Sequence, residues 1–383
     1  MKNFLFILLF VFLSLQVIND DVLPEFVPVT ATSTSTDSLR IIFAGDVMGH
    51  GMQITGAWRD GNDTAYNYLP VFRYAKDYLS SANLAIANLE VTLAGEPYTG
   101  YPRFSSHSSL AVALKDAGFD VLLTTNNHSL DRLQQGLERT IDALDSIGIV
   151  HTGTFKDSTV WENEYPLIVE RNNFRIAVLN YTYGTNGIAV QSPNIVNYID
   201  TVKIAADIVK ARERNPDYII ACMHWGDEYK NKENAGQRSL ARFLYVNGCH
   251  LIIGAHPHVV QPFDRLVVND SDTVPVAYSL GNFVSNQRER YRNGGITLEV
   301  NLVKTDSIVR LVSCSYEPFW VHRFLKDKVS VFRLIPVNDY LRNPSGYTIN
   351  ETNKKLMMQF YNDTRTLLPG LPYSGYFRPN NKE

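Results

Sequence analysis

Five near-continuous apolar runs, each closed by a polar residue able to hold a cation, constrain this chain more than anything else in it. Ile41-Ile42-Phe43-Ala44-Gly45 runs into Asp46, and Leu84-Ala85-Ile86-Ala87-Asn88-Leu89 into Glu90. Val121-Leu122-Leu123-Thr124-Thr125 runs into Asn126-Asn127-His128, and Tyr218-Ile219-Ile220-Ala221-Cys222-Met223 into His224. Leu251-Ile252-Ile253 leads to Gly254-Ala255-His256-Pro257-His258. Runs of this kind read as strands buried on both faces of a sheet. Ligands of open α/β sheets collect at the carboxyl ends of such strands. Five such ends would gather carboxylate, amide and imidazole groups at one edge, a donor set that suits two divalent cations. Pro257 fixes φ between the last two imidazoles and removes a donor, which stiffens the pair.

Taken singly, each residue has a plainer reading. An Asp after a strand caps a helix, an Asn-Asn-His makes a turn, and His224 beside Trp225 packs as an aromatic neighbour. The distribution favours the joint reading. Of nine histidines, His128, His224, His256 and His258 all fall directly behind apolar strands.

The remaining pattern fits a layered α/β domain. Amphipathic stretches at 66–79, 109–117, 136–147, 200–214 and 235–247 each precede or follow an apolar run. From about Val259 the pattern turns to strands, at 274–278, 296–304 and 307–315, and 350–364 reads as a helix. No internal repeat is visible. With 383 residues there is enough chain for one large domain or two small ones. A net charge of −3 leaves no basic footprint, so no nucleic-acid partner is expected.

The chain opens with Lys2 and a short apolar core from Phe4 to Leu13. That core is too short for a comfortable membrane span. It predicts a signal peptide over 1–19, with an uncleaved N-terminal anchor as the alternative. Residues 20–37, rich in Pro, Thr and Ser, read as a linker. A main domain over 38–318 and a C-terminal extension over 319–383 complete the expected organisation, with the protein exported to the periplasm or cell surface. Three cysteines, an odd number, imply no disulfide framework.

Six segments, GDVMGHG (45–51), NLEVTLAG (88–95), TTNNHSLD (124–131), MHWGDEY (223–229), GAHPHVVQP (254–262) and YSLGNFV (278–284), occur in this order. Together they resemble the CapA family, the capsule and poly-γ-glutamate synthesis proteins of bacterial cell envelopes, similar in turn to calcineurin-like metallophosphoesterases. The resemblance covers about Leu39 to Val284 and extends through the strands to about Ser315. It implies a four-layer α-β-β-α sandwich and one or two ions of Mn, Fe or Zn. Asp46 takes the place of the first-metal aspartate, and Glu90 that of the bridging carboxylate, where phosphoesterases usually carry Asp. Asn127, His224 and His256 resemble second-metal ligands, and His258 a first-metal ligand. His128 resembles the general acid of the leaving oxygen.

One position departs from that pattern. Phosphoesterases place a histidine two residues after the first Asp, and this chain has Met48 there. Thioether is a poor ligand for the ions expected. His50 can stand in if a helical turn begins at Gly45-Asp46, since positions four apart then share a face. The alternative is a loop histidine and a weak or absent first metal. Asp131 either orients the His128 ring or caps a helix. Asn282 either binds ligand or makes a turn. Glu228 and Tyr229 are candidate substrate contacts, as is Arg103, for which surface solvation is the simpler role.

The resemblance implies a metal-dependent hydrolase acting on an anionic envelope polymer or its phosphorylated precursor, alongside membrane-bound polymer synthesis or export proteins. Phosphoester and γ-glutamyl amide bonds both yield to metal-activated water, so the bond type stays open. The alternative is a non-catalytic component of a polymer-export assembly.

Overall fold

The computed structural model describes residues 36–267 and 273–375. The expected leader and nearly all of the expected linker lie outside the described residues. The strands, in chain order, are β1 (Thr36–Val47), β2 (Leu84–Leu89), β3 (Val121–Leu123), β4 (Val150–Thr152), β5 (Thr154–Phe155), β6 (Leu167–Arg171), β7 (Phe174–Thr182), β8 (Ile195–Val196), β9 (Tyr218–His224), β10 (Leu251–Ala255), β11 (Phe263–Val267), β12 (Thr273–Ala277), β13 (Asn282–Val284), β14 (Gly294–Thr305), β15 (Ile308–Lys326) and β16 (Val329–Pro336). The helices are α1 (Gly51–Asp60), α2 (Leu69–Phe72), α3 (Lys76–Ser80), α4 (Ser109–Ala117), α5 (Leu133–Ile147), α6 (Ser158–Glu164), α7 (Thr201–Glu213), α8 (Ala235–Val246), α9 (Val337–Arg342) and α10 (Glu351–Leu367).

Two sheets carry the architecture. One runs β16-β15-β14-β1-β2-β3-β4, with β13 paired to the end of β1. The other runs β11-β12-β10-β9-β7-β6. The strands β1, β2, β3 and β4 are parallel to one another. So are β7, β9, β10 and β12. Their flanking partners are antiparallel.

Alternation along the strands sorts the side chains into layers. Ile41, Phe43, Leu84 and Ile86 meet Ile176, Val178, Ile220 and Ile253 between the sheets. Ile42, Ala44, Ala85 and Ala87 face outward under α2, α3 and α4. On the far side, Leu179, Ile219, Ala221 and Ile252 pack under Ile204 and Ile208 of α7 and Ala241 and Leu244 of α8. The result is the expected α-β-β-α order.

The stretch 66–79 is two short helices, α2 and α3, instead of one. The strand β7, between β9 and the edge strand β6 of the second sheet, is not singled out by the sequence pattern. The domain limits need correction at both ends. β1 begins at Thr36, inside the expected linker, and the limit at 318 cuts through β15. Glu317 and Pro318 lie inside β15, although such residues are poor in sheets. Glu317 is in fact buried. It accepts hydrogen bonds from the Asn338 backbone N–H at 3.0 Å and from its Nδ2 at 2.9 Å. Burial pushes its carboxyl up to about 8. The strand therefore continues, and Phe319, Val321, Phe332 and Leu334 complete the core beneath the first helical layer.

Removing residues 319–383 should accordingly abolish folding rather than trim an appendage. Each of those four side chains is worth roughly 1.5–3 kcal/mol of burial, and domains hold only about 5–15 kcal/mol in total. Soluble yield and circular dichroism of the truncated chain check this; a cooperative melt near that of the full chain would contradict it.

Candidate metal centre

The parallel strands of both sheets point their carboxyl ends to the same edge. Asp46 lies in the last turn of pleat of β1, and Glu90 follows β2 directly. His128 stands beyond β3, His224 ends β9, and His256 and His258 follow β10. Gly45 is required for this approach. Its backbone passes Gly281 so closely that a Cβ would sit 2.0 Å from the Gly281 carbonyl oxygen. The Asp46 N–H donates to that same oxygen at 3.0 Å.

Asp46, Glu90, His224, His256 and His258 are all buried. Asp46, Glu90 and His258 each bring a ligand atom within 4.8 Å of the others, as do Glu90, His224 and His256. Glu90 is common to both sets, the position of a shared carboxylate. A further set, Glu228, His256 and His258, meets the same limit at the solvent side. His258 Nδ1 lies 3.0 Å from Asp46 Oδ2, while its Nε2 is 3.7 Å from Glu90 Oε1. His224 Nε2 is 2.9 Å from Asn127 Oδ1 and 3.6 Å from Glu90 Oε1.

The electrostatics are those of a site built for a cation. Glu90 Oε1 and His256 Nδ1 are buried with no hydrogen-bond partner among the described residues, an arrangement that otherwise costs about 1–3 kcal/mol per group. Burial, then the charge of Asp46, pushes the Glu90 carboxyl well above the usual range. Burial would raise Asp46 too, but the hydrogen bond and charge of His258, together with Asn88, hold it below its ordinary value. Burial and neighbouring imidazoles push His224 far down and His256 down to about 3. Neutral imidazoles and an ionised Asp46 are the forms that bind metal. His256 and His258 also adopt φ of 98° and 58°, the left-handed region, on either side of Pro257. Strain of roughly 1–3 kcal/mol per residue is characteristic of functional sites.

His128 and Asp131 form a neighbouring pair. Their Nδ1 and Oδ2 lie 2.7 Å apart, and the Phe104 N–H donates to the same carboxylate oxygen at 2.7 Å. Asp131 therefore orients the His128 ring and caps no helix; α5 begins at Leu133. Asn126 locks the loop, accepting from the His128 N–H at 3.0 Å and donating to the Leu89 carbonyl at 2.8 Å.

His50 does not join the cluster. No helical turn begins at Gly45-Asp46, because β1 runs through Val47 and α1 starts only at Gly51. His50 is the residue before α1. Its Nδ1 lies 3.1 Å from Gln53 Oε1 and 3.3 Å from the Asn286 N–H. Burial pushes its imidazole down to about 4. Met48 is buried in the apolar layer beneath α1 and α2. Asn282 opens β13, in register with Asp46 of β1, and its Nδ2 donates to the carbonyls of His258 at 3.2 Å and Arg292 at 2.8 Å and to Gln287 Oε1 at 3.0 Å. Arg103, Glu228 and Tyr229 are exposed and line a cleft of about 460 Å³ with Asn127 and His128. The Arg292 guanidinium sits 3.5 Å over the Tyr229 ring.

The sequence reading missed three residues. Asn88 Nδ2 reaches Asp46 Oδ1 at 2.8 Å and His224 Nδ1 at 3.3 Å. Its spacing from Glu90 placed it on the same face of β2, which was a usable signal. Tyr183 covers His256 with ring centroids 4.6 Å apart. Asn186 accepts from Asn127 Nδ2 at 3.2 Å. Both lie beyond β7, the strand not singled out.

Comparison with known proteins follows the geometry. Residues 40–287 match the family model described as bacterial capsule synthesis protein PGA_cap. Over 270 residues the chain is 31% identical to the capsule biosynthesis protein CapA of Bacillus anthracis, covering 66% of this chain and 61% of that one. Over 266 residues it is 29% identical to the PGA biosynthesis protein CapA of Bacillus subtilis, covering 66% and 65%. The match thus spans less than two thirds of either relative. Among solved structures, a calcineurin-like phosphoesterase of Bacillus subtilis is similar at 15% identity and a TM-score of 0.45, covering 86% of this chain and 98% of that one. The NAD nucleotidase of Haemophilus influenzae is similar at 12% identity and a TM-score of 0.44, covering 87% and 61%.

Two outcomes are expected for metal binding. His50→Ala should leave metal stoichiometry unchanged, whereas His258→Ala should lower it; elemental analysis of both variants decides. Cation binding should also release a proton, since Glu90 must give up the one that burial and Asp46 favour. Apparent affinity should therefore rise with pH until Glu90 ionises without metal. Titration calorimetry in buffers of differing ionisation enthalpy reads the released proton, and a buffer-independent enthalpy would contradict it.

Proposed function

We propose that this chain, which belongs to the bacterial capsule synthesis PGA_cap family, is an exported, metal-dependent hydrolase of an anionic envelope polymer or its phosphorylated precursor. The observation that carries this reading is the pair of buried, unpartnered atoms, Glu90 Oε1 and His256 Nδ1, inside a ring of imidazoles and carboxylates. Both residues belong to one candidate ligand set with His224, where a cation would satisfy their open atoms.

Asp46, Glu90, Asn127, His224, His256 and His258 would hold one or two divalent cations of Mn, Fe or Zn. A bound cation supplies an activated water and charge stabilisation for phosphoryl or acyl transfer. The protein's own groups do the rest. Asp46 accepts from His258 Nδ1, leaving Nε2 toward Glu90 as a donor atom. Asp131 holds His128 through Nδ1, so the other ring nitrogen is left to protonate a leaving oxygen in the cleft. The Phe104 N–H keeps Asp131 in place. Arg103, Glu228 and Tyr229 at the rim are placed to meet substrate. Among the described residues no helix is long and apolar enough to cross a membrane. Export and any attachment to membrane-bound synthesis proteins would rest on the N-terminal segment.

A non-catalytic role in a polymer-export assembly is the second reading. It is favoured by Met48, which packs into the core where a first-metal histidine would be expected, with His50 engaged elsewhere. Metal analysis of the purified protein separates the two. Absence of transition metal before and after reconstitution would exclude the hydrolase.

If the hydrolase reading holds, His128→Ala should retain bound metal and lose turnover by about 10²–10⁴-fold. Asp131→Asn should fall between that variant and the wild type. Loss of metal from His128→Ala would instead make His128 a ligand and overturn its role as acid.

A further inference from the structure

The centre is one donor short of the phosphoesterase pattern, because Met48 packs into the core and His50 is held by Gln53 and the Asn286 N–H. The ligand sets also contain one residue that the pattern does not account for. Glu228 brings a carboxylate oxygen within 4.8 Å of a ligand atom of His256 and of one of His258. The three sets interlock. Glu90, His256 and His258 each belong to two of them, while Asp46, His224 and Glu228 each belong to one. Asp46 and His224 are buried and Glu228 is exposed, so Glu228 stands at the mouth of the ring. His256, only 3% exposed, carries the unpartnered Nδ1 described above and is a member of this outer set.

The loop that carries Glu228 is strapped to the His256-Pro257-His258 turn on both sides. The Trp225 N–H donates to the Ala255 carbonyl at 3.1 Å, and the Tyr229 N–H donates to the Pro257 carbonyl at 2.8 Å. Between the straps the chain turns through Gly226 at φ 88°, and Tyr229 itself takes φ 64°, in the left-handed region. A Cβ on Gly226 would sit 2.6 Å from the Gln237 side chain, so the turn is confined. The Tyr229 ring carries the Arg292 guanidinium 3.5 Å above it and lies 6.0 Å from the His258 ring. Asp227, the other acid of the loop, accepts from Asn234 Nδ2 at 2.7 Å, and Asn234 is the N-cap of α8. Asp227 is thus engaged with the helix, and Glu228 is the acid that reaches the imidazoles.

We propose that Glu228 is a cation ligand of this centre, the donor that stands in for the histidine missing at position 48. The proposal rests on the metal reading above, and it removes the main support of the non-catalytic one. A carboxylate in place of an imidazole makes the donor set richer in oxygen, which suits Mn²⁺. Because Glu228 also lines the cleft in front of His128, it is the ligand that an incoming substrate meets first.

The test is calorimetric titration of Mn²⁺ into the full chain after its metal has been removed by chelation. The wild type should bind. Glu228→Gln keeps the size and removes the charge, and should weaken binding by roughly tenfold or more, at least what the loss of an outer partner costs a metal site. Glu228→Asp should keep part of the affinity. Asp227→Asn removes a charge from the same loop and should leave affinity nearly unchanged. With Co²⁺ in place of Mn²⁺, the visible absorption of Glu228→Gln should differ from that of the wild type, because removing a ligand alters the field around the ion. Thermal melts of the stripped proteins should coincide, so that a loss is read at the metal and not at the fold. Unchanged affinity and an unchanged Co²⁺ spectrum in Glu228→Gln would overturn the ligand and leave the hydrolase reading standing. Equal losses in Glu228→Gln and Asp227→Asn would reduce the effect to loop charge and overturn it as well. A wild type that binds no Mn²⁺ would overturn the metal centre itself, and Glu228 with it.

Discussion

Ile41, Phe43, Leu84 and Ile86 of one sheet pack against Ile176, Val178, Ile220 and Ile253 of the other, and the geometry of the site follows from that layer. The sheets are separate ladders with no shared strand. The apolar face between them, with polar links at the edge such as Asn88 Nδ2 to His224 Nδ1 and His258 Nδ1 to Asp46 Oδ2, sets how the ends of β1, β2 and β3 stand to the ends of β9 and β10. At roughly 1.5–3 kcal/mol for each buried side chain, this layer can carry what is unfavourable at its edge. A cavity made there by a large-to-small change would move one half of the ligand set against the other.

What the layer carries is a concentration of polar cost. Two carboxylates and three imidazoles are buried together, with two of their atoms unpartnered. Two histidines stand in backbone conformations that L residues avoid. Each feature is adverse alone. Their coincidence at one sheet edge makes sense as preparation for a cation that satisfies the orphan atoms and neutralises the crowded charge.

Much of this was legible in the sequence because buried parallel strands announce themselves as unbroken apolar runs. Asp46, Glu90, Asn127, His128, His224, His256 and His258 all followed such runs, and the structure brings them together. Legibility failed where the local pattern misled. His50 was placed by a helical spacing, but β1 is still extended at Asp46. Asn282, open between ligand and turn, stands instead at the start of β13, where its Nδ2 holds the His258 and Arg292 carbonyls. Asn88 was hidden inside a run counted as apolar. The end of the domain was set near where the recognisable segments stop, and the Asn338 partner that makes the buried Glu317 of β15 tolerable lies 21 positions on.

The position of β1 has a consequence for the order in which the molecule is made. β1 pairs on one side with β2, an early neighbour, and on the other with β14, which begins only at Gly294. The first strand of the sheet is also its central one. During synthesis its free edge must wait, unpaired, while about 250 residues emerge, and pairings of such long range form late. A chain that cannot close its sheet until its last quarter arrives stays threadable for most of its synthesis. It would be an easy passenger for any machinery that moves unfolded polypeptide, and a hazard if left waiting beside other copies with the same bare edge.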